Sequence, residues 1–415
     1  MASLFILISP LYSQSKEEKD FNRELNIART KAKNGDSQQA ITMLDSLKGF
    51  ECLKKQYAHL TEIQLLKANI YGRQNAEEKA LFHYAQAFEF AKETKDPILQ
   101  LDAVMHLGEA FYSQKLYQSA YDYFKIGDSL LFWANKSKYR KQLNSKLANT
   151  AYHLKNYNDA RYYYSELLKY SVQYQDLNYE LEARNGIADS YAKRKEFQSA
   201  IQFKLSLIPI YKRLQQPTKK QAVYIQIAKF YMDVHDADRA MDYCYLILND
   251  NQPVDALLHM KTHILLASIQ IEKGALYETQ IMSNLDKAAS IATKLKRKDK
   301  VLEAAYLKNQ FIVKYKSKKL AKKSLDSLVA LLDKESDIEL QIKIYQLGID
   351  FYKKQHNYKK QAEYYELYLI QKDESEKLIR RKAENKRWQL KMIQQNELRM
   401  QCAIQKGILR ASECL

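Results

Sequence analysis

The stretch Phe111-Tyr-Ser-Gln-Lys-Leu-Tyr-Gln-Ser-Ala120-Tyr121 decides the fold of this 415-residue chain, because its pattern returns later as Tyr191-Ala-Lys-Arg-Lys-Glu-Phe-Gln-Ser-Ala200-Ile201. In both copies an aromatic residue precedes an alanine, and a short polar break lies between them. A break of this kind allows a tight turn between two helices. Each copy is therefore predicted to be the centre of a helical hairpin, with helix A before the turn and helix B after it.

The hairpin pattern repeats every 40 residues, and small residues mark it most clearly. An alanine column on helix B recurs with this period, and a second small column on helix A precedes it by twelve positions. The two columns are Ala40, Ala80, Ala120, Ala160, Ala200 and Ala240, and Ala28, Ala68, Gly108, Ala148, Ala188 and Ala228. Paired small residues let antiparallel helices approach closely. The repeat therefore predicts hairpins that stack in series.

Bulky residues form three further columns beside the small ones. Offsets of three and four residues place them on the same helical face, where they fill the space between helices. The columns are aliphatic (Ile27, Leu107, Leu147, Ile187 and Ile227, with Lys67 as an exception), aromatic (Tyr71, Phe111, Tyr191 and Tyr231) and mixed (Leu44, Tyr84, Phe124, Tyr164, Lys204 and Cys244). The predicted turns include Asn34-Gly35-Asp36, Gln114-Lys115 and Lys155-Asn156. Only 9 Gly and 5 Pro occur in the chain, which favours long helices with short connectors.

This order of residues resembles the tetratricopeptide repeat. In that family an aliphatic, a small and an aromatic residue on helix A are followed by alanine, an aromatic and an apolar residue on helix B. The period of 40 exceeds the family's 34, which implies longer helices or connections. The early Trp and closing Pro of the family are mostly absent. The resemblance implies an all-α fold, a right-handed α-solenoid of about nine hairpins with a long C-terminal helix.

The chain is predicted to have four parts. They are an apolar segment at residues 1–15, the solenoid at 16–374, a long charged helix at 375–405 and a tail at 406–415. The first segment resembles the second half of a secretory signal peptide, although it lacks basic residues at its start. This predicts an exported, periplasmic protein, and the alternative is a packed N-terminal segment in a cytoplasmic protein.

The charged helix has two interpretations. It can cap the solenoid, because terminal repeats need a polar outer face. It also resembles the charged helices that follow the repeats in membrane-anchored sensor-regulators of Bacteroidetes-type bacteria, where a membrane span and an output domain come next. No run of 18 apolar residues occurs in this sequence. The resemblance therefore implies, as an alternative function, a sensory module whose output domain is absent, with membrane association only through a missing or neighbouring segment.

Motifs for catalysis are missing from the sequence. It contains no G-x-x-x-x-G-K-[ST], G-x-G-x-x-G, H-E-x-x-H or G-x-S-x-G, and no C-x-x-C pair among its 4 Cys. His259 and His263 are four positions apart, with Asp255 one turn earlier, but a metal site needs three or four ligands. Two ordinary histidines are the favoured interpretation. We predict no enzyme, no cofactor, no metal site and no small-molecule substrate.

Positive charge is concentrated in one block. The chain has a formal net charge of +18, and the block from Lys294 to Lys323 contains 12 Lys or Arg against Asp299 and Glu303. Such a block attracts nucleic acid, anionic lipid or an acidic partner. Charge runs on surface helices are more often solvated faces, which makes nucleic-acid binding the less favoured alternative.

A polar column next to the small residues of helix A is the predicted binding surface. The resemblance implies that helix A lines a concave groove for a protein or peptide ligand. Amides and charges there would bond an extended backbone, while Tyr adds apolar contact at low entropic cost. The alternative is the ordinary polar outer face of any helix. The predicted groove residues are Asn69, Arg73, Glu109, Tyr112, Asn149, Tyr152, His153, Asp189, Lys193, Lys229 and Asp233.

Overall fold

The computed structural model describes residues 5–47, 57–134, 137–250, 254–333 and 335–414. All regular structure in these ranges is helical, which confirms the predicted all-α class. The helices are α1 (Phe5–Asn34), α2 (Ser37–Leu47), α3 (Tyr57–Arg73), α4 (Glu77–Glu93), α5 (Pro97–Ser113), α6 (Tyr117–Ala134), α7 (Ser137–His153), α8 (Tyr157–Gln173), α9 (Leu177–Lys193), α10 (Phe197–Leu205), α11 (Ile208–Arg213), α12 (Pro217–Asp233), α13 (Ala237–Leu248), α14 (Ala256–Lys273), α15 (Glu278–Lys294), α16 (Lys298–Tyr315), α17 (Lys318–Val329), α18 (Ile338–Lys354) and α19 (Tyr358–Cys414). Consecutive helices pair as nine hairpins in the described chain, with α10 and α11 together forming one helix B.

Between Gly35 and His235 each hairpin consists of two modules of 20 residues, as the spacing of the turns shows. Positive backbone φ occurs at Gly35, Asn75, Lys95, Lys115, Lys155, Gln175, Lys195, Gln215 and His235, which are spaced by 20 or 40 residues. The helices between these turns are typically 17 residues long, as in α3, α4, α5, α7, α8, α9 and α12. A 17-residue helix and a three-residue link make 20, and two such modules make 40. Longer helices therefore account for the longer period.

The turn between α5 and α6 shows how these helices end. The Leu116 N–H donates to the Phe111 carbonyl at 3.0 Å, and the Lys115 N–H donates to the Tyr112 carbonyl at 2.9 Å. These two bonds satisfy the last carbonyls of α5 while Lys115 adopts a φ of 61°. Helix α7 ends in the same way, with Lys155 in the left-handed conformation. The three predicted turns are confirmed.

The alanine column lies inside the hairpins, as predicted. Ala80, Ala120 and Ala160 are no more than 4% exposed. At Gly108 of the small column, an added Cβ would lie only 2.5 Å from the Phe124 ring of the same hairpin. The small columns therefore mark close helix–helix contact, and glycine replaces alanine where the facing ring needs the space.

Two lysines that interrupt the columns are buried and paired with carboxylates. The Lys204 ammonium lies 2.8 Å from an oxygen of Asp189, and Lys67 bonds Asp45. A buried charge is tolerated when an opposite charge and hydrogen bonds compensate it. Ile27 differs from the other residues of the aliphatic column, which are buried. It lies in the first hairpin of the described chain and is 38% exposed.

The chain divides into two compact units. The first comprises Met1–Gly186 with Gln389–Leu415, and the second comprises Ile187–Trp388. In the first unit, α1, α2 and α3 bury an apolar cluster that includes Phe21. In the second unit, α16, α17 and α18 bury a cluster that includes Leu325. Apolar burial between neighbouring hairpins thus supplies the main stabilisation of each unit.

At both ends of the chain, helices continue across the predicted boundaries. Residues 1–4 of the predicted signal segment lie outside the described residues, and from Phe5 the chain forms part of α1. At the other end, α19 begins as helix B of the last hairpin and continues for 57 residues. The regions predicted as a charged helix and a tail are therefore one helix as far as Cys414, because no proline interrupts its helix-forming residues. None of the described helices has the length and apolar character needed to cross a membrane.

The last part of α19 packs within the first unit. The Ser119 hydroxyl of α6 donates to a Glu397 oxygen at 2.8 Å, and Met400 is buried. Gly407 of α19 packs against α4, and a Cβ added to it would be 2.6 Å from the Phe82 carbonyl oxygen. Glycine therefore permits a close approach of this part of α19 to α4.

Candidate functional site

The A helices of the first unit form a polar surface with two cavities along it. One cavity, of about 470 Å³, lies between α3 and α5 and beside the start of α4. Its polar lining includes Asn69, Glu77, His106 and Glu109. Two of the predicted binding residues, Asn69 and Glu109, are thus brought together here.

A second cavity, of about 420 Å³, lies beside the first one. Its lining residues come from α5, α7 and α9: Asp102, Met105, His106, Glu109, Tyr139, Gln142, Ser145, Lys146 and Tyr179. His106 and Glu109 line both cavities, so the two lie side by side along α5. We call the residues that line the two cavities the A-helix surface. A concave surface with converging polar groups is typical of a ligand site.

Carboxylates dominate the charge of the A-helix surface, although the whole chain is strongly basic. The acidic lining residues are Glu77, Asp102 and Glu109, and the lining residue Lys146 forms an ion pair with Glu109 at 2.9 Å. Burial and then the field of nearby carboxylates, Asp102 first, raise the pKa of Tyr139. The potential at this surface therefore favours a ligand group with positive charge.

Asn69 and Asn149 also hold their own hairpins together. The Tyr84 hydroxyl donates to Asn69 Oδ1 at 2.7 Å, and the Tyr164 hydroxyl donates to Asn149 Oδ1 at 2.7 Å. Burial and the Glu109 carboxylate raise the pKa of Tyr84 to about 12. The polar residue that follows the small column thus bonds helix A to helix B in these hairpins. Asp189 does the same in the second unit, where it pairs with Lys204.

A hydrogen-bond network fixes the polar groups next to the second cavity. Asn149 Nδ2 donates to Glu182 Oε1 at 2.7 Å, and the Ser145 hydroxyl donates to the same oxygen. Burial and then Glu182 raise the pKa of Tyr179, which lines the cavity. The network therefore orients donors and acceptors on α7 and α9 before any ligand binds.

Tyr112, Tyr152 and His153 form part of an aromatic cluster at the turns of the first unit. The His153 ring stacks on Tyr117 with ring centroids 4.5 Å apart and planes at 4°. Tyr112 meets His153 edge-on at 5.8 Å, and Tyr152 meets Tyr157 edge-on at 5.6 Å. The structure brings these three predicted residues into one cluster, in which ring contacts hold them in place.

The other predicted residues do not line these two cavities. Arg73 donates from Nη1 to a carbonyl of α1 at 3.1 Å. In the second unit, Asp189 and Lys193 lie on α9, and Lys229 and Asp233 lie on α12. Lys193, Lys229 and Asp233 are exposed. They remain predicted binding residues.

Sequence reasoning missed the cavity-lining residues nearer the start of each helix A. Asp102 and His106 precede Glu109 by seven and three positions, and Gln142 precedes Asn149 by seven. Offsets of three, four and seven lie on one helical face. Extending the polar column one and two turns towards the helix start would have identified them.

The basic block in the second unit is partly neutralised. Carboxylates from outside the block contribute, because Lys308 pairs with Asp286 at 2.8 Å and Lys316 pairs with Glu278 at 2.5 Å. Inside the block, Arg297 bonds Asp299 and Lys300 bonds Glu303. The local excess of positive charge is therefore smaller than the sequence count, which favours a solvated face over a nucleic-acid site.

The fold of this chain is that of known helical repeat proteins. The apo form of RapI aligns with a TM-score of 0.51 and 17% identity, covering 86% of this chain and 98% of that one. A signal transduction ATPase with numerous domains and a tetratricopeptide repeat sensor, from Pyrococcus horikoshii, aligns with a TM-score of 0.51 and 11% identity, covering 88% and 54% of the two chains. A tetratricopeptide repeat protein from Parabacteroides merdae has a TM-score of 0.40 and 15% identity, with coverage of 75% and 99%.

No protein-family model matches the chain, and no curated protein matches it. Identities this low show the fold alone. The chain folds as helical repeats of the tetratricopeptide type, which confirms the resemblance seen in its small and aromatic columns.

Proposed function

We propose that this protein is a non-catalytic receptor for a protein or peptide segment, which it binds along the A-helix surface of the first unit. The supporting observation is the pair of adjacent cavities lined by polar side chains from successive A helices. An extended peptide needs partners for its backbone N–H and C=O groups, and Asn, Gln and Ser side chains supply them. Because the hairpins already hold these residues in place, binding orders little of the protein.

The charge of this surface indicates the ligand. Among the described residues, the Asp102 carboxylate faces a histidine, His106, at 4.0 Å, and no lysine or arginine within ion-pairing distance. A carboxylate left in this state is available to a cationic group of a ligand. The proposed ligand is therefore a segment that carries Lys, Arg or a free amino terminus.

Selection from a displayed library of random peptides tests this function on the full chain. We expect binders enriched in Lys and Arg. Asp102→Asn should weaken a selected peptide by about tenfold or more, because a hydrogen bond to a charged group contributes roughly 1.5–3 kcal/mol, and Gln142→Ala should weaken it by about fivefold, because a neutral hydrogen bond contributes about 1 kcal/mol. The matched controls are Asp122→Asn on α6 and Gln173→Ala on α8, which are exposed on B helices of the same unit. Fluorescence polarisation measures the dissociation constants.

Two results would contradict the proposal. If the library yields no binder, the proposal of a peptide ligand is wrong. Peptides that bind the cavity variants and the control variants equally well would place the site elsewhere on the chain.

A sensory module is a second candidate function. It is supported by the similarity to the ATPase whose name includes a tetratricopeptide repeat sensor, at a TM-score of 0.51. In such a protein, the A-helix surface would read the ligand and a separate domain would act on it. The test is whether a kinase or DNA-binding reading frame lies next to this gene and whether its product binds this chain.

An exported location, proposed from residues 1–15, is tested by cell fractionation.

A further inference from the structure

A cavity in the second unit is lined by amides, hydroxyls, imidazoles and one ammonium group. Its volume is about 600 Å³, and α13, α14 and α15 surround it. The lining residues are Tyr245, Leu248, Asn249, His259, His263, Leu266, Gln270, Thr279, Gln280, Ser283, Asn284 and Lys287. We call it the network cavity. Its lining includes the two histidines at helical spacing that the sequence shows.

Three buried polar side chains connect these helices and line the network cavity. His263 Nδ1 lies 2.8 Å from Asn284 Oδ1, and Asn284 Nδ2 donates to Gln270 Oε1 at 3.1 Å. Gln270 in turn donates to the Tyr245 hydroxyl at 3.3 Å. All three are less than 9% exposed, and burying polar groups is costly unless their bonds are made. Such a network fixes its members precisely enough to present polar atoms to a ligand.

The hydrogen bonds assign the proton on His263. The Asn284 Oδ1 oxygen can only accept, so Nδ1 of His263 carries the hydrogen, and the neutral ring leaves Nε2 as an acceptor. Protonation would convert Nε2 into a cationic donor. The His259 ring lies next to it, with centroids 4.8 Å apart. The protonation state of this pair therefore decides whether the two rings offer acceptors or positive charge.

The charges around the pair are positive. The titratable groups that face the rings are each other on α14, Tyr245 from α13 and Lys287 from α15. Helices α12 and α16 also contact α14 but contribute no lining residue. Burial first, and then Lys287, lower the pKa of His259, while burial outweighs the bond to Asn284 and lowers the pKa of His263. No carboxylate is among the lining residues in the described chain.

Other chemistries fit the network cavity less well. Among the described residues, no group of three His, Cys, Asp or Glu side chains lies close enough to hold a metal ion. A phosphate dianion usually pairs with several cations, and the cavity has one permanent cation, Lys287. One ammonium surrounded by neutral amides and hydroxyls matches a monoanion.

We propose that the network cavity binds a carboxylate of a peptide ligand, held by the Lys287 ammonium at neutral pH and additionally by protonated His259 and His263 as the pH falls. The hydroxyls of Thr279 and Ser283 supply further donors. Binding therefore strengthens on acidification. This site lies in the second unit and is independent of the A-helix surface.

Histidine-selective NMR of the full chain tests the site with three probes. N-acetylglycine carries a terminal carboxylate, N-acetylaspartate methylamide carries a side-chain carboxylate, and N-acetylglycinamide is the neutral control. We expect saturable shifts of the His259 and His263 resonances with one or both carboxylates and none with the amide. The dissociation constant should be about tenfold lower at pH 5.5 than at pH 7.5. The carboxylate that binds more tightly identifies the source as a chain terminus or an acidic side chain.

The matched variants are Lys287→Gln and Lys294→Gln, both on α15 and both at exposed positions, so neither disturbs the buried network. Lys287→Gln should weaken carboxylate binding about tenfold, and Lys294→Gln should leave it unchanged. An equal response to the amide, an affinity independent of pH, or full binding by Lys287→Gln would overturn the proposal. So would inorganic phosphate binding more tightly than either carboxylate.

Discussion

The A-helix surface and the network cavity are both polar, but they differ in charge and in depth. The first is lined by Glu77, Asp102 and Glu109, and the second by Lys287 with two histidines and no carboxylate among its described lining residues. Asn69 and Glu109 of the first are half-buried, whereas the three network residues of the second, His263, Gln270 and Asn284, are buried. One repeat scaffold thus presents opposite charges in its cavities through a few side chains on its helices.

Burial of the polar side chains should affect the free energy of unfolding more than their charge does. Asn284 and Asn69 provide the comparison. Asn284→Ala would leave the His263 N–H and the Gln270 Oε1 oxygen without their partner, at a cost of about 3 kcal/mol. Asn69 is only half-buried and bonds one group, so Asn69→Ala would leave only the Tyr84 hydroxyl without its partner, at a cost of about 1 kcal/mol. Hydrogen exchange of peptides from α14–α15 and from α3–α4 measures each effect locally.

The exposed Asn178→Ala on α9 is the control for this pair, and we expect no local change in exchange. Equal losses for Asn284→Ala and Asn69→Ala would break the comparison, because they would mean that burial does not distinguish the two sets of polar residues.

The hairpins and their contacts could be predicted from the sequence because the repeat is local. Small residues forty positions apart, such as Ala80 and Ala120, occupy equivalent buried places, and the interruption at Lys204 is explained by a carboxylate fifteen positions earlier. Spacing along one helix is sufficient for such inferences.

The cavities could not be predicted in the same way. The network cavity depends on His263 and Asn284 meeting from two helices in a region where the 40-residue period weakens. The A-helix surface depends on how four successive A helices align, which places Asp102 of α5 and Tyr179 of α9 around one cavity. Such contacts follow from packing between hairpins rather than from spacing within one helix. The repeat pattern also does not predict that Gly407 of α19 packs against α4.

Glycine substitutions at the turns should stabilise both units by the same amount. Lys115 in the first unit and Gln215 in the second both have left-handed backbone, with φ of 61° and 53°. A side chain in that conformation costs free energy that glycine avoids, so Lys115→Gly and Gln215→Gly should each stabilise by about 1 kcal/mol. Urea unfolding followed by circular dichroism measures this. Lys169→Gly, within α8, is the opposite control and should destabilise by about 1 kcal/mol. A stabilisation confined to one unit would show that its turns are held differently.

The smallest expected effect is the acid sensitivity of the second unit. Burial lowers the pKa of His259 and His263, so below pH 6.5 the unfolded chain takes up protons that the folded chain still excludes. The contribution of the two rings to the free energy of unfolding is therefore fully present above about pH 6.5 and is lost as the pH falls towards the folded-state values. We expect a small loss of stability at pH 5.5, because His259 is partly exposed and solvent screens its charge.

Hydrogen exchange of the α14–α15 peptides at pH 7.5 and pH 5.5, corrected for intrinsic exchange, measures this loss. Replacing both rings, His259→Asn with His263→Asn, should remove the pH dependence even if it lowers stability at every pH, whereas His235→Asn, at an exposed turn, should keep it. N-acetylglycine should reverse part of the loss, because a bound carboxylate stabilises the protonated rings. A pH dependence that survives the double substitution would assign it to other groups and would leave the network cavity without its proposed acid response.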